Sequence, residues 1–241
     1  MKKCSFLLVL PILLTFFAPV LAHDPFIEDE DWGDFTKPLQ IPDSAISYAS
    51  YGYLDENDID VFKLDFAQAD ALLRVQILAP VCGEHYVHFY PQVAILTSAE
   101  TVKNPLDVTL PFNVPTDLAV IYSTLPTSTT TEATAEVTPE STAEPRPTFV
   151  EPIGGTEFYD GATTDIKVPA SGTYYVVVFN NDGMTGDYTL ATGYKEQFNS
   201  SPAQMLANVA EIKTGAWLHR RCDLPVGDPN AIIEHEHHHE G

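Results

Sequence analysis

The chain has 241 residues, with 34 acidic against 12 basic side chains and a formal net charge of −22. A surface of that sign repels nucleic acid and anionic lipid and attracts cations, so neither polyanion is an expected partner. Hydrophobic residues make up 44% of the sequence, and the length suits one large or two small domains with a real core.

Lys2 and Lys3 precede an apolar run over residues 6–17, and Val20-Leu21-Ala22 then places small residues where a signal peptidase cuts. Residues 1–22 therefore read as a secretory signal peptide. The run is short for a membrane span and acidic residues follow it at once, so an uncleaved anchor is the weaker alternative. Cleavage makes His23 the first residue of a secreted or periplasmic chain, and no later segment is apolar enough to insert in a bilayer. Cys4 leaves with the signal. Cys82 and Cys222 remain, and in an exported protein they are expected to pair. Closing so long a loop removes roughly 5 kcal/mol of unfolded-state entropy. No CxxC spacing favours a redox or metal role for the two.

Residues 23–43 begin HDPFIEDEDWGD, an acidic arm whose Phe26 and Trp32 are suited to docking on the body. Residues 45–54, 59–66 and 72–78 read as strands. In the second, Phe62, Leu64 and Phe66 alternate with Val61, Lys63 and Asp65; in the third, Leu73, Val75 and Ile77 alternate with Arg74 and Gln76. Such alternation predicts one buried and one solvated face. Residues 85–96 read as a strand pair or one strand bent at Pro91, and residues 118–122 as a short apolar strand. Residues 125–147, LPTSTTTEATAEVTPESTAEPRP, are too polar to offset the entropy of ordering and read as a disordered insertion, or as a linker between two domains. Strand-like residues resume at 149–158 and 164–168. Residues 171–194 then read as a β-hairpin, with Thr173 and its successors to Phe179 outbound, Asn181-Asp182-Gly183 turning, and Tyr188, Leu190 and Thr192 alternating on return.

The one strong helix signal follows. Ser201 is the expected N-cap, Pro202 the first helical residue and Gln204 the partner of a capping box. Met205, Leu206, Val209 and Ile212 form the expected core stripe, and Gly215 stops the helix. Residues 200–224 thus form a helix and clasp, and residues 225–241 a His/Glu-rich tail. So many strands with one helix predict a mainly β fold, an antiparallel sandwich.

Two stretches carry a resemblance. Residues 48–64, ending Leu54-Asp55-Glu56-Asn57-Asp58-Ile59-Asp60-Val61-Phe62-Lys63-Leu64, and Ser171-Gly172-Thr173-Tyr174-Tyr175-Val176-Val177-Val178 with Gly186-Asp187-Tyr188-Thr189-Leu190, together resemble the bacterial pre-peptidase C-terminal domain. The resemblance spans roughly residues 44 to 194, interrupted by the insertion, and implies a jelly-roll-like sandwich over residues 44–199. It further implies an accessory module of exported enzymes, without catalytic residues of its own. Some collagen-binding relatives hold calcium.

Several clusters offer metal chemistry. Asp55, Asn57, Asp58 and Asp60, with Glu56, gather hard oxygen donors in one turn before a strand, as calcium requires, although the spacing is not that of an EF-hand. The alternative is an acidic turn whose side chains bond the local backbone. In the tail, His235, His237, His238 and His239 are flanked by glutamates and suit zinc, copper or nickel. His235-Glu236 and His239 match HExxH in form only, since no apolar stripe seats a helix there. His23, as a mature N-terminus, resembles the histidine brace of copper proteins, with His85, His88 or His219 available as a second ligand. No GxSxG and no phosphate-cradling glycine loop nominate an enzyme. The expectation is an exported, non-catalytic sandwich that binds an extracellular protein or polysaccharide, with calcium's assistance. The alternative is a transition-metal binder that uses the tail and His23.

Overall fold

The computed structural model describes residues 23–127, 146–152, 154–181 and 183–233; the expected signal peptide, most of the insertion and the tail histidines lie outside the described residues. The strands are β1 (Asp24–Ile27), β2 (Leu39–Gln40), β3 (Tyr48–Leu54), β4 (Ile59–Phe66), β5 (Leu72–Pro80) and β6 (Gln92–Ser98). They continue with β7 (Leu118–Ser123), β8 (Thr148–Val150), β9 (Glu157–Tyr159), β10 (Thr163–Lys167), β11 (Gly172–Phe179) and β12 (Gly186–Thr192), before the helix α1 (Pro202–Thr214). One sheet runs β1-β3-β12-β5-β9-β8, with β10 also paired to β5; the other runs β2-β4-β11-β6-β7. The described residues form a mainly β sandwich of two sheets with one α-helix, as the strand pattern predicts.

The core lies between the sheets because period-two alternation sends every second side chain to one face. Phe62 and Leu64 of β4, Val75 and Ile77 of β5, Val176 and Val178 of β11 and Leu190 of β12 meet there, each essentially without solvent exposure. Burying each such side chain contributes about 1.5–3 kcal/mol.

Three features differ from the sequence expectation. First, β11 and β12 are not a hairpin. β11 pairs with β4 and β6, and β12 with β3 and β5 in the opposite sheet. The chain therefore passes from one sheet to the other between Phe179 and Gly186, and β3 and β4 are joined by a similar arch over residues 55–58. The two arches sit at the same end, since Leu54 pairs with Gly186 and Ile59 with Phe179. Second, residues 83–88 form turns, and only Gln92 onward makes a strand, β6. Third, the outer faces are wet only in part: Asp65, Arg74 and Asp165 are exposed as alternation predicts, but other outward-facing residues are covered. Val61, Val177 and Phe179 are fully buried beneath Leu106, Leu110, Phe112 and their neighbours in the extended segment after β6. On the other side Ala49, Tyr51 and Leu78 are covered by Ile212 and Trp217 of the helix and clasp.

The helix is capped as expected. Ser201 Oγ accepts from the Gln204 backbone N–H at 3.2 Å, Pro202 opens the first turn, and Gly215 closes it at φ 70°. The Gln204 side chain does not complete the capping box; it donates to Asn208 Oδ1 at 2.7 Å. Leu206 is 71% exposed, and the buried positions are Asn208 and Ile212. Asn208 Nδ2 donates to the Pro25 carbonyl at 2.7 Å, so the helix grips β1 through a polar residue that displaces Leu206 from the inward face. No described helix is long and apolar enough to cross a membrane.

Candidate functional site

The acidic arm is the part of the chain that builds the site. β1 pairs in parallel with β3, Asp24 opposite Tyr48 through Ile27 opposite Tyr51, and the Glu28 N–H donates to the Tyr51 carbonyl at 2.9 Å. The arm then crosses to the other sheet, where the Trp32 carbonyl accepts from the Val61 N–H at 2.9 Å. The Trp32 indole, 4% exposed, meets the Phe62 ring at 5.3 Å between centroids. This crossing lays the arm over the arched end of the sandwich. Glu28 and Asp31 come down beside Asp60, the second residue of β4, and one carboxylate oxygen from each of the three lies within 4.8 Å of the others.

Asp60 has no solvent exposure. Its Oδ2 accepts from the Tyr188 hydroxyl at 2.7 Å, while Oδ1 has no hydrogen-bond partner among the described residues. Glu28 Oε2 accepts from the Tyr53 N–H at 2.8 Å. No lysine or arginine forms an ion pair with any of the three among the described residues. Burial is the main cause that raises the Asp60 carboxyl well above the usual carboxylate range, and the adjacent Glu28 charge adds to it. Burial likewise pushes Glu28 up to about 8 and Asp58 up to about 6. Several carboxylates are thus desolvated together with no basic side chain among the described residues to neutralise them, an arrangement costly unless they are protonated or coordinate a metal.

An open pocket of about 290 Å³ sits against the cluster, lined by Glu28, Asp31, Tyr53, Asp55, Glu56, Asn57 and Asp58. The predicted turn therefore borders the site and supplies Asp60 to it. Part of its chemistry goes to local structure: Asp58 Oδ1 accepts from the Ile59 N–H at 2.8 Å, and Asn57 takes the left-handed conformation at φ 64°. Glu28 and Asp31 are not among the metal-site candidates that the sequence nominates. Trp32 docks the arm as its aromatic character predicts, and that docking is what brings the two carboxylates to the turn.

The other expected sites lie elsewhere. His23 Nδ1 is 2.6 Å from Ser47 Oγ, and its imidazole is lowered in pKa chiefly by burial. His219 stacks on Tyr53 at 4.2 Å, six residues farther along β3 than Ser47, which is about 20 Å of strand. His85 Nε2 donates to the Leu224 carbonyl at 2.8 Å, and His88 is exposed in the turns after Cys82. The structure does not bring His85, His88 or His219 to His23. His235, His237, His238 and His239 lie outside the described residues. Cys82 and Cys222 are joined as expected, across 140 residues. The bridge fastens the clasp beside a second buried carboxylate: Asp187 accepts from the Tyr86 hydroxyl and from His219 Nδ1, the latter at 2.8 Å.

No protein-family model matches the chain, and no curated protein matches it in sequence. Among solved structures it is similar to PliG of Aeromonas hydrophila, a periplasmic lysozyme inhibitor of g-type lysozyme. That match has 13% identity and a TM-score of 0.35, and covers 72% of this chain and 100% of the other. It is also similar to the pre-peptidase C-terminal domain of collagenase from Bacillus anthracis. Here the identity is 15% and the TM-score 0.31, over 64% of this chain and 93% of that one.

Proposed function

We propose that the chain is an exported, non-catalytic binding module that takes up one calcium ion between its acidic arm and its arched end, and that the loaded form binds an extracellular protein or polysaccharide. In this account residues 1–22 direct export to the periplasm or beyond, residues 23–43 are the arm, residues 44–199 the binding sandwich, and residues 200–224 the clasp. The observation that carries it is the convergence of Glu28, Asp31 and Asp60 with no basic partner among the described residues, one of them fully buried with an oxygen that none of those residues bonds. An all-oxygen donor set suits hard cations over zinc or copper. The turn residues Asp55, Asn57 and Asp58 stand at the pocket rim, where they supply further oxygens or hold water on the ion. A cation here ties the arm, through Glu28 and Asp31, to β4 in the opposite sheet, and so fixes the shape of the surface around the arches.

Thermal unfolding of the chelator-treated protein, with calcium, magnesium or zinc added separately, tests this. Calcium at millimolar concentration is expected to raise Tm by several degrees and zinc to have little effect; equal melting with and without calcium overturns the proposal.

A further inference from the structure

Tyr188 and Asp60 stand on facing sheets and meet across the sandwich interior. Tyr188 belongs to β12 and Asp60 to β4, both have no solvent exposure, and the tyrosine hydroxyl donates to Asp60 Oδ2 at 2.7 Å. Anchored through Oδ2, the carboxylate has Oδ1 as the oxygen left for a cation, and Oδ1 has no other partner among the described residues. The reach of the phenol depends on its cross-strand neighbour. Gly52 pairs with Tyr188 in the β3–β12 register, and a Cβ added at Gly52 would sit 2.6 Å from the Tyr188 hydroxyl oxygen. Any larger residue at position 52 displaces the phenol from the place where it meets Asp60.

We infer that Tyr188 is a positioning residue for the cation site, that it holds Asp60 with one oxygen toward Glu28 and Asp31, and that Gly52 is required for it to do so. This inference rests on the cation reading above. Outer hydrogen bonds of this kind orient metal-ligating carboxylates, and their loss typically weakens metal binding 10–100-fold. Phenylalanine at position 188 keeps the ring and its packing but leaves the Asp60 carboxylate free to rotate.

A second buried tyrosine–aspartate pair supplies the control. The Tyr86 hydroxyl donates to Asp187, which is also unexposed but is not one of the three clustered carboxylates. Removing either phenol deletes one buried hydrogen bond, so a purely structural role predicts the same outcome for both. The experiment is isothermal titration of the full chelator-treated chain with calcium, for the wild type, Tyr188→Phe, Gly52→Ala and Tyr86→Phe. The expected result is 10–100-fold weaker calcium binding in Tyr188→Phe and Gly52→Ala, with wild-type affinity in Tyr86→Phe. Should Tyr188→Phe not fold, Gly52→Ala carries the same comparison. Wild-type affinity in Tyr188→Phe, or equal weakening in Tyr86→Phe, overturns the inference and leaves the cation site standing. A wild type that binds no calcium overturns both.

Discussion

Replacing Asp60 by asparagine separates the cation account from a merely structural acidic cluster. In the absence of metal, Asp60 is a fully buried carboxyl beside Glu28, and both are held well above the usual carboxylate range, chiefly by burial. Asparagine keeps the shape, still accepts from the Tyr188 hydroxyl, and offers its amide to Glu28 or Asp31. Removal of an uncompensated buried charge is worth on the order of 3 kcal/mol, and each kcal/mol moves Tm by about 2–4 °C in a chain of this size. Asp60→Asn is therefore expected to melt about 6–12 °C above the wild type at pH 8 in chelator. In excess calcium the order changes, because the wild type gains stability from the ion and the variant does not. Differential scanning calorimetry in the two buffers reads both effects. A variant less stable than the wild type in chelator, combined with an unchanged response to calcium, would mean that Asp60 is neither strained nor a ligand.

Three further outcomes follow from the same geometry. The folded-state pKa values of Glu28 and Asp58 are raised from 4.5 to about 8 and from 3.8 to about 6, so their protonation stabilises the metal-free fold below the unfolded values, and that stability is lost as pH rises through the folded ones. Metal-free Tm should thus fall between about pH 5 and 8 and flatten when calcium is present; a chelator profile that rises over this window contradicts the assignment. Replacing Cys82 and Cys222 together by serine removes a bridge across 140 residues and should cost roughly 5 kcal/mol by denaturant titration, whereas a loss below about 1 kcal/mol would mean that the clasp is held by Trp217 and Asp187 instead. Val177→Asp should prevent folding, because Val177 lies fully buried under the segment after β6; a solvated face would tolerate it within about 0.5 kcal/mol.

The strands were largely legible because alternation is a local property: β4, β5, β11 and β12 fall where Phe62, Val75, Tyr174 and Leu190 place them. What alternation does not encode is the sheet to which a strand belongs. A strand that returns beside its predecessor and one that arches to the facing sheet carry the same inward periodicity, so the segment from β11 to β12 reads as a hairpin. Two signs in the sequence pointed the other way. The connection from Asn180 is six residues, longer than the turns that tight hairpins favour, and the run Tyr174-Tyr175-Val176-Val177-Val178-Phe179 does not alternate, which marks a strand covered on both faces. The helix was legible through its caps, but Asn208 outranks Leu206 for the inward position because the Pro25 carbonyl needs a donor there. The candidate site was half legible. The turn at residues 55–58 and Asp60 are contiguous, whereas Glu28 and Asp31 reach them only through parallel pairing of β1 with β3 and the Trp32 anchor, contacts between residues far apart in the chain.

Whether one calcium ion is held between the arm and β4 can be read by equilibrium dialysis with radioactive calcium on two metal-free forms, the chain from His23 and the same chain ending at Ile233. One calcium per molecule is expected in both, with a Kd of about 0.1–1 mM as in other extracellular modules, and none after Asp60→Asn with Asp31→Asn. No saturable calcium in either form, or calcium that disappears with the His/Glu-rich tail, would contradict a calcium site between the arm and β4.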